Sequence, residues 1–347
     1  MRVIARDDSR IYKLPLIFSD GAIFQRNREI PISGTCYKKD VIEISVDTIS
    51  QKTQCRNGWW LLAFPPMPAG GPYDISVHIS GERVLTHVIK NIYYGEVWIA
   101  AGQSNMSRQS EIPEIQFTLP VNVFYLSPYS YCFKHWKKLQ NLSEFSAVAS
   151  HFSIELSDRI KVPIGIILIA EGSSTIAHWH PYNDSSYYNS TIKKLYPLPF
   201  RGVIWWQGES DALGPSYSLY KKIKPQLRSW IRQLLGWNWE GPGNLYLTKK
   251  YDYNYLFTSL IEEWREDWGI GDFPFIFVQL QKLVKENNHW IKVRQAQENA
   301  LQLPKTAMVI SYDITDGELH PADTKPVALR LADTAARFYK DSHAGLK

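Results

Sequence analysis

From residue 94 to the C-terminus, short apolar runs alternate with stretches whose apolar side chains recur at helical spacing. The predicted strands cover residues 96–101, 164–170, 202–206, 275–280 and 307–312. The predicted helices cover residues 146–160, 255–268 and 328–339. This alternation is typical of a parallel sheet with helices packed on its faces. We therefore predict an α/β fold for this part of the chain.

The N-terminal part of the chain has a different pattern. Between residues 14 and 90, short apolar runs are separated by turn signals such as Asp20-Gly21 and Asn57-Gly58, and no helical period is evident. Short strands between such turns are typical of a small β-sandwich. We therefore predict a β-rich module over residues 1–92, followed by an α/β domain over residues 93–347.

Composition and charge exclude several classes of protein. The chain is 44% hydrophobic, so it has enough apolar side chain to offset the entropy lost on ordering and is not a disordered chain. Its longest smooth apolar run, residues 162–170, is far shorter than the roughly 20 residues that span a membrane. The net charge of +5 is spread along the chain, and the densest basic patch, residues 134–138, lies in no nucleic-acid motif. We expect neither a membrane span nor a nucleic-acid partner.

Cysteines and export signals bear on the compartment. Cys36, Cys55 and Cys132 form an odd, sparse set that matches neither a disulfide scaffold nor a metal motif, although Cys36 and Cys55 share one β-rich segment and either pair or stay free. Residues 1–8 lack the apolar core of a signal peptide, so we expect an intracellular chain or one without its leader. Glycosylation triplets, which matter only in an exported chain, begin at Asn141, Asn183 and Asn189.

Polar loops follow three of the predicted strands, at residues 102–106, 172–175 and 207–211. In sheets of this class, ligands bind beyond the carboxyl ends of the strands. A glycine two residues before Ser104 allows a tight turn that exposes its hydroxyl beside backbone N–H groups. The Gly172 N–H and the Gln207 amide are donors suited to a developing oxyanion, and the Glu209 carboxylate is suited to orienting a histidine. The alternative for each loop is an ordinary turn or a helix cap.

A fourth polar segment, residues 313–321, follows the last predicted strand and contains His320. Carboxylates lie two and four residues earlier, at Glu318 and Asp316, which suits a general base held by an acid. Elsewhere, His178 and His180 have the spacing of two metal ligands on a strand, but the sequence suggests no third ligand. We therefore predict no metal and no cofactor.

Together these segments resemble the sialate O-acetylesterases, a family within the SGNH hydrolase superfamily. The resemblance runs nearly end to end, and its most specific parts are Gly102-Gln103-Ser104-Asn105-Met106 and Trp205-Trp206-Gln207-Gly208-Glu209. It implies an α/β/α sandwich with a parallel sheet. It also implies a serine esterase that removes O-acetyl groups from sugars through an acetyl-serine intermediate, with 9-O-acetylated sialic acid as the first-choice substrate.

The resemblance also assigns roles to individual residues. Ser104 would be the nucleophile and His320 the base that activates it. The backbone N–H groups of Ser104 and Gly172, with the Gln207 side chain, would form the oxyanion hole.

The resemblance leaves the acid that orients His320 open. SGNH hydrolases usually carry an aspartate three residues before the histidine, and here that residue is Gly317. The candidates are Glu209, Glu318 and Asp316, of which we favour the two glutamates. Residues 212–250 are longer than the family pattern and form an expected insertion beside the third loop.

Two alternatives to this function stay open. The same chemistry could act on another glycan, as in an acetylxylan esterase. A protein of a different class would be a glycan-binding homologue with impaired catalysis. In each case the expected partner is a carbohydrate, acetylated in the case of an esterase, and the sequence gives no oligomeric state. Members of the family are often secreted or lysosomal, whereas the absence of a leader here also fits a cytosolic form.

Overall fold

The computed structural model describes residues 13–81, 84–109, 118–126, 135–140, 144–182, 186–213 and 252–344. Its strands are β1 (Ile23–Gln25), β2 (Ile30–Thr35), β3 (Val41–Val46), β4 (Ile49–Gln54), β5 (Trp59–Phe64), β6 (Gly70–Ser80), β7 (Val84–Gly102), β8 (Val121–Tyr125), β9 (Lys137–Lys138), β10 (Ile164–Ala170), β11 (Gly202–Trp206), β12 (Phe275–Val278) and β13 (Thr306–Val309). Its α-helices are α1 (Ser104–Ser107), α2 (Ala147–Ile160), α3 (Tyr187–Ser190), α4 (Glu209–Leu213), α5 (Tyr253–Trp268), α6 (Asn288–Asn299) and α7 (Lys325–Ala344).

The expected insertion at residues 212–250 lies almost entirely outside the described residues. Cys132, Asn141 and Asn183 lie outside them as well. Within the described part of the chain, no helix is both long enough and apolar enough to cross a bilayer.

A largely parallel central sheet confirms the predicted α/β class. Its strand order is β13-β12-β11-β7-β10-β8, all parallel, with the short β9 antiparallel to β8 at the edge. The chain leaves β7 toward β8 and β10 on one side and later forms β11, β12 and β13 on the other. The carboxyl end of β7 is therefore a point where the strand order reverses, the usual position of a ligand site in such sheets.

Both faces of this sheet are covered, which explains why its strands are continuous apolar runs rather than alternating ones. Every residue of β10 is buried. Ile166 lies in one core cluster with Phe152 of α2 and Leu331 of α7. Ile167, its neighbour, lies in a second cluster with Leu260 of α5. Successive side chains therefore pack against helices on opposite faces.

The predicted ends of the first two helices match the structure, and all three predicted starts lie within three residues of the observed ones. The Ser146 hydroxyl accepts a hydrogen bond from the Ala149 N–H (3.0 Å) and caps α2, which ends at Ile160 as predicted. The last helix begins at Lys325, three residues before its predicted start, and extends to Ala344. The predicted strands 275–280 and 307–312 are shorter in the structure because their last residues form the loops above the sheet.

The N-terminal strands form mostly antiparallel pairs. β3 pairs with β4 and β6, and β6 pairs with β7, whereas β2 and β5 form a separate two-stranded sheet. β7 runs from this region into the central sheet, and the predicted boundary at residue 92 falls inside it. That boundary stays a prediction.

A buried carboxylate lies where the two regions meet. Glu96 in β7 accepts hydrogen bonds from the Gln25 amide (2.7 Å) and from the Arg26 guanidinium (2.6 Å). The Gln25 side-chain oxygen in turn accepts the Val97 N–H (3.0 Å). The charge of Glu96 is therefore paired inside the protein, as buried charges require.

Cys36 and Cys55, whose pairing the sequence left open, form a disulfide with a Cα–Cα distance of 6.0 Å. The bond joins the residue after β2 to the residue after β4, and both side chains are buried. It therefore connects the two-stranded sheet to the larger antiparallel sheet.

We expect the double substitution Cys36→Ser, Cys55→Ser to lower the free energy of unfolding by about 3 kcal/mol, because the bond closes a loop with a sequence separation of 19. Urea denaturation with and without reductant measures this. Reductant should lower the stability of the parent protein to that of the variant and leave the variant unchanged. A reductant effect of equal size on both would contradict the disulfide.

Candidate active site

Ser104 lies just beyond a close approach between two strand ends. Gly102 ends β7 with φ +144°, and a Cβ atom added to it would lie 2.1 Å from the carbonyl oxygen of Trp206 in β11. Only glycine fits both this backbone conformation and this space. The next residue, Gln103, donates its N–H to the same carbonyl (2.9 Å), and Ser104 then begins α1.

Ser104 and His320 meet although they lie far apart in the sequence. The Ser104 Oγ and the His320 Nε2 are 2.9 Å apart, and both residues are half-buried. Burial lowers the pKa of His320, and the positive charge of Arg108 lowers it further. The imidazole is therefore neutral near pH 7, the form that can take a proton from a hydroxyl.

The loop after β10 brings Gly172 against the serine. A Cβ atom added to Gly172 would lie 4.0 Å from the Cβ of Ser104. Among the described residues, no acceptor binds the backbone N–H of Ser104 or that of Gly172. Two neighbouring backbone donors are therefore available beside the Ser104 hydroxyl.

Gln207 is fully buried, and its side chain is hydrogen-bonded within the fold. Its amide nitrogen donates to the Asp211 carboxylate (2.6 Å) and to the Ser174 carbonyl (3.0 Å). Its side-chain oxygen accepts from the Tyr253 hydroxyl (3.2 Å). Gln207 therefore connects α4 to the loop that carries Gly172.

The three candidate acids occupy different environments. Glu209 is buried and accepts a hydrogen bond from the Asn105 amide (2.5 Å). Asp316 is exposed, and its carboxylate accepts the backbone N–H groups of Glu318 (3.1 Å) and Ala322 (2.9 Å), which lower its pKa. The Glu318 side chain is exposed. Within the described residues, no carboxylate lies within hydrogen-bond or ion-pair distance of the His320 ring.

Two carboxyl groups lie on α4, that of the buried Glu209 and that of the half-buried Asp211. Burial raises the pKa of Glu209 to about 7, against the weaker opposing effects of its own backbone and of Asn105. Burial likewise raises the pKa of Asp211 to about 7, although Gln207 and the Ile176 N–H both bind its ionised form. Near neutral pH, both groups are therefore poised between their charged and neutral forms.

Sequence reasoning missed two amides that bind the loop of His320. The carbonyl oxygen of Leu319 accepts a hydrogen bond from the Asn105 side chain (3.1 Å) and one from the Gln281 side chain (2.8 Å). Asn105 lies in the segment 102–106 that the sequence analysis singled out, so its position next to Ser104 could have indicated a role in the site. Gln281 follows an apolar strand and carried no such signal.

The histidine pair considered as metal ligands has other partners. The Thr175 N–H donates to the His178 Nδ1 (3.0 Å). The His180 Nε2 lies 2.9 Å from the Ser259 hydroxyl, and its Nδ1 lies 3.3 Å from the Glu263 carboxylate. No group of three or more histidine, cysteine or acidic side chains in the described residues is arranged to hold a metal ion.

The raised pKa of Asp211 predicts a pH-dependent stability. Between about pH 4 and pH 7 the unfolded chain has lost this proton while the folded protein retains it, so the contribution of Asp211 to stability falls as the pH rises. Asn at this position keeps an acceptor oxygen but does not titrate. We expect the free energy of unfolding of the parent, relative to Asp211→Asn, to be lower at about pH 8 than at about pH 5. Parallel pH profiles in urea denaturation would contradict this.

A comparison with a solved structure agrees with this fold. The chain superposes on a carbohydrate acetylesterase from Xanthomonas citri with a TM-score of 0.72 and 26% sequence identity, covering 94% of this chain and 74% of that one. Among curated proteins, the human sialate O-acetylesterase is 24% identical over 82% of this chain. The mouse sialate O-acetylesterase is 22% identical over 85% of this chain. The matches span 62% of the human protein and 65% of the mouse protein.

A family model matches two segments of the chain. Residues 94–238 and 244–337 match the model described as carbohydrate esterase, sialic acid-specific acetylesterase. These ranges include the loop that carries Ser104, the loop after β10, α4 and His320, and they make up more than half of the chain. The chain therefore belongs to the sialic acid-specific acetylesterase family of carbohydrate esterases.

Proposed function

We propose that this protein is a serine esterase that removes O-acetyl groups from sugars, with 9-O-acetylated sialic acids as its substrates. The observation that carries the proposal is the 2.9 Å contact between the Ser104 hydroxyl and the His320 Nε2. It lies at the carboxyl end of β7, beside the backbone N–H groups of Ser104 and Gly172, which have no acceptor among the described residues. Membership of the family supports the reaction, and the names of the curated relatives support the sugar.

The proposed reaction is acyl transfer in two steps. The neutral His320 ring takes the Ser104 proton as the Oγ attacks the acetyl carbonyl carbon. The N–H groups of Ser104 and Gly172 stabilise the oxyanion of the tetrahedral intermediate. Its collapse breaks the bond between the acetyl carbon and the sugar oxygen, and His320 gives the proton to that departing oxygen, which leaves as a hydroxyl. Water, activated by the same ring, then releases acetate from Ser104.

For Gln207 we propose a supporting role in this reaction. Its amide hydrogens bind the Ser174 carbonyl and Asp211, so it fixes the loop in which Gly172 presents its N–H. Direct donation from Gln207 to the oxyanion stays a prediction, and it would require the amide to leave one of these acceptors.

We also propose that the fold is the α/β/α sandwich of SGNH hydrolases, preceded by a β-sandwich module. Helices on both faces of the central sheet support the first part. The second part is supported by a shared core, in which Ile32 of β2 and Leu62 of β5 lie in one cluster with Ile44 of β3 and Val77 of β6.

A sialic acid carries a carboxylate, and Arg108 is the residue we propose to bind it. Arg108 follows α1 and donates its backbone N–H to the Ser104 carbonyl (2.9 Å). Its side chain is exposed, its guanidinium binds no acceptor in the described part of the chain, and its charge lowers the pKa of both His320 and Asp316. A guanidinium that acts on His320 and has no acceptor among the described residues suits a carboxylate.

The first test is acetate release from 9-O-acetylated sialic acid, acetylated xylan and p-nitrophenyl acetate. We expect turnover of the sialate, and we expect Ser104→Ala to lower kcat by about 10⁴-fold or more while the fold is retained. Activity on acetylated xylan and p-nitrophenyl acetate alone would overturn sialic acid as the substrate and leave the serine mechanism in place. Inactivity of the folded parent on all three would overturn the esterase and favour a glycan-binding protein.

The role of Arg108 has a separate test. Arg108→Gln should lower kcat/KM for 9-O-acetylated sialic acid, relative to its uncharged methyl ester, by about tenfold or more, chiefly through KM. Arg56→Gln removes the same charge from an exposed turn of the N-terminal region and serves as the control. An equal effect of Arg108→Gln on both substrates would show that its charge acts on His320 instead.

A further inference from the structure

The backbone beside His320 is held by two buried amides that lie in different loops of the site. The Leu319 carbonyl oxygen accepts from the Asn105 Nδ2 (3.1 Å) and from the Gln281 Nε2 (2.8 Å). Both side chains are fully buried. Asn105 adjoins Ser104, and Gln281 lies in the loop after β12. The residue before the base is therefore tied directly to the residue after the nucleophile.

Each amide makes a second contact that extends this connection. The Asn105 Nδ2 also donates to the Glu209 carboxylate (2.5 Å), and the Gln281 Nε2 also reaches the Glu318 carbonyl (3.3 Å). One amide group thus bridges Glu209 and the His320 loop. Glu209 acts on that loop through Asn105, since its carboxylate makes no contact with the imidazole.

A histidine without a carboxylate at its ring needs another source of orientation. In a serine–histidine–acid triad, the acid holds the ring and stabilises the imidazolium. Here the ring contacts the Ser104 hydroxyl. The peptide before His320 is fixed by two buried amide donors, the side chains of Asn105 and Gln281. A displacement of about 1 Å at a catalytic group can cost about 10²-fold in rate. Fixing the Leu319 peptide is therefore a means of holding His320 in reach of Ser104.

We propose that Asn105 and Gln281 are positioning residues that hold His320 through the Leu319 carbonyl, and that Glu209 acts only by fixing Asn105. The inference rests on the proposed esterase function. It assigns the orienting role to a pair of amides rather than to Glu209, Glu318 or Asp316 acting on the ring.

Positioning by the two amides and direct action of an acid on the ring predict different results when Glu209 is substituted. Glu209→Gln keeps a side-chain oxygen that can accept the Asn105 hydrogen bond, so we expect kcat within about threefold of the parent. A carboxylate acting directly on the ring would make the same substitution cost about 10²-fold or more and lower the pKa of the acid limb of the kcat/KM profile.

The amides are tested with p-nitrophenyl acetate, a substrate with few contacts beyond its acetyl group. Asn105→Ala and Gln281→Met should each lower kcat by about 10-fold to 100-fold, with KM changed less than about threefold and the acid limb not lowered. Met fills the space of Gln281 but cannot donate, so its variant tests the hydrogen bond without opening a cavity. Thermal unfolding checks that each variant is folded.

Gln279→Ala is the matched control. Gln279 is a buried amide two residues before Gln281, but its side chain donates to the Glu298 carboxylate (2.8 Å) and not to the His320 loop. We expect its kcat to match that of the parent. Equal losses of kcat in Gln279→Ala and Gln281→Met would overturn the proposal, as would a parent-like kcat in both Asn105→Ala and Gln281→Met.

The parent and Ser104→Ala separate this inference from the function on which it rests. An inactive parent, or an active Ser104→Ala, would overturn the esterase mechanism itself. An active parent with an inactive Ser104→Ala leaves the amides and Glu209 as the point at issue. A 10²-fold loss in Glu209→Gln would then overturn the positioning role and restore Glu209 as an acid that acts on the ring.

Discussion

The site depends on how closely the ends of β7 and β11 approach each other. Without a side chain at Gly102, the backbone reaches the Trp206 carbonyl, and the Gln103 N–H binds that carbonyl. The buried Gln103 side chain then accepts the Gly208 N–H (3.4 Å) and the Ser210 N–H (3.3 Å) at the start of α4. The loop that carries Ser104 and the loop that carries Glu209 are therefore one hydrogen-bonded unit, and Gly172 and His320 are arranged around it.

Electrostatics in this unit favour neutral groups. Desolvation raises the pKa of the Glu209 and Asp211 carboxyl groups to about 7, and it lowers the pKa of His320, which is therefore uncharged near neutral pH. Uncharged amide side chains connect this unit. Asn105 donates to Glu209, Gln207 donates to Asp211, and Gln103 accepts from the start of α4. A site of this kind needs little rearrangement of solvent when charge develops on a reacting ester, which is the condition for strong stabilisation by fixed dipoles.

Periodicity and motif spacing were sufficient for the sheet and for the pair Ser104 and His320. Parallel strands end at one edge, so polar loops that follow them must meet there, even when 216 residues separate the two side chains. Side-chain contacts to the backbone follow no such period, and for that reason the bonds from Asn105 and Gln281 to Leu319 were not foreseen. The orienting acid stayed open because sequence spacing cannot show that Glu209 faces an amide. The pairing of Cys36 with Cys55 also required coordinates, because sequence spacing does not show which side chains face each other.

The buried Glu96 makes the segment around Gln25 and Arg26 a structural requirement of the central sheet. Its carboxylate is neutralised by Arg26 and bound by Gln25, and both of these residues lie before the central sheet begins. Removing one partner of a buried ion pair typically costs about 3–5 kcal/mol, a large fraction of the stability of a typical domain. Glu96 lies six residues before Gly102 on the same strand, so a loss of its partners would leave an unpaired buried charge on the strand that leads to Ser104. The central sheet therefore depends on the short segment around Gln25 through a buried charge, in addition to the apolar packing that it shares with the rest of the N-terminal region.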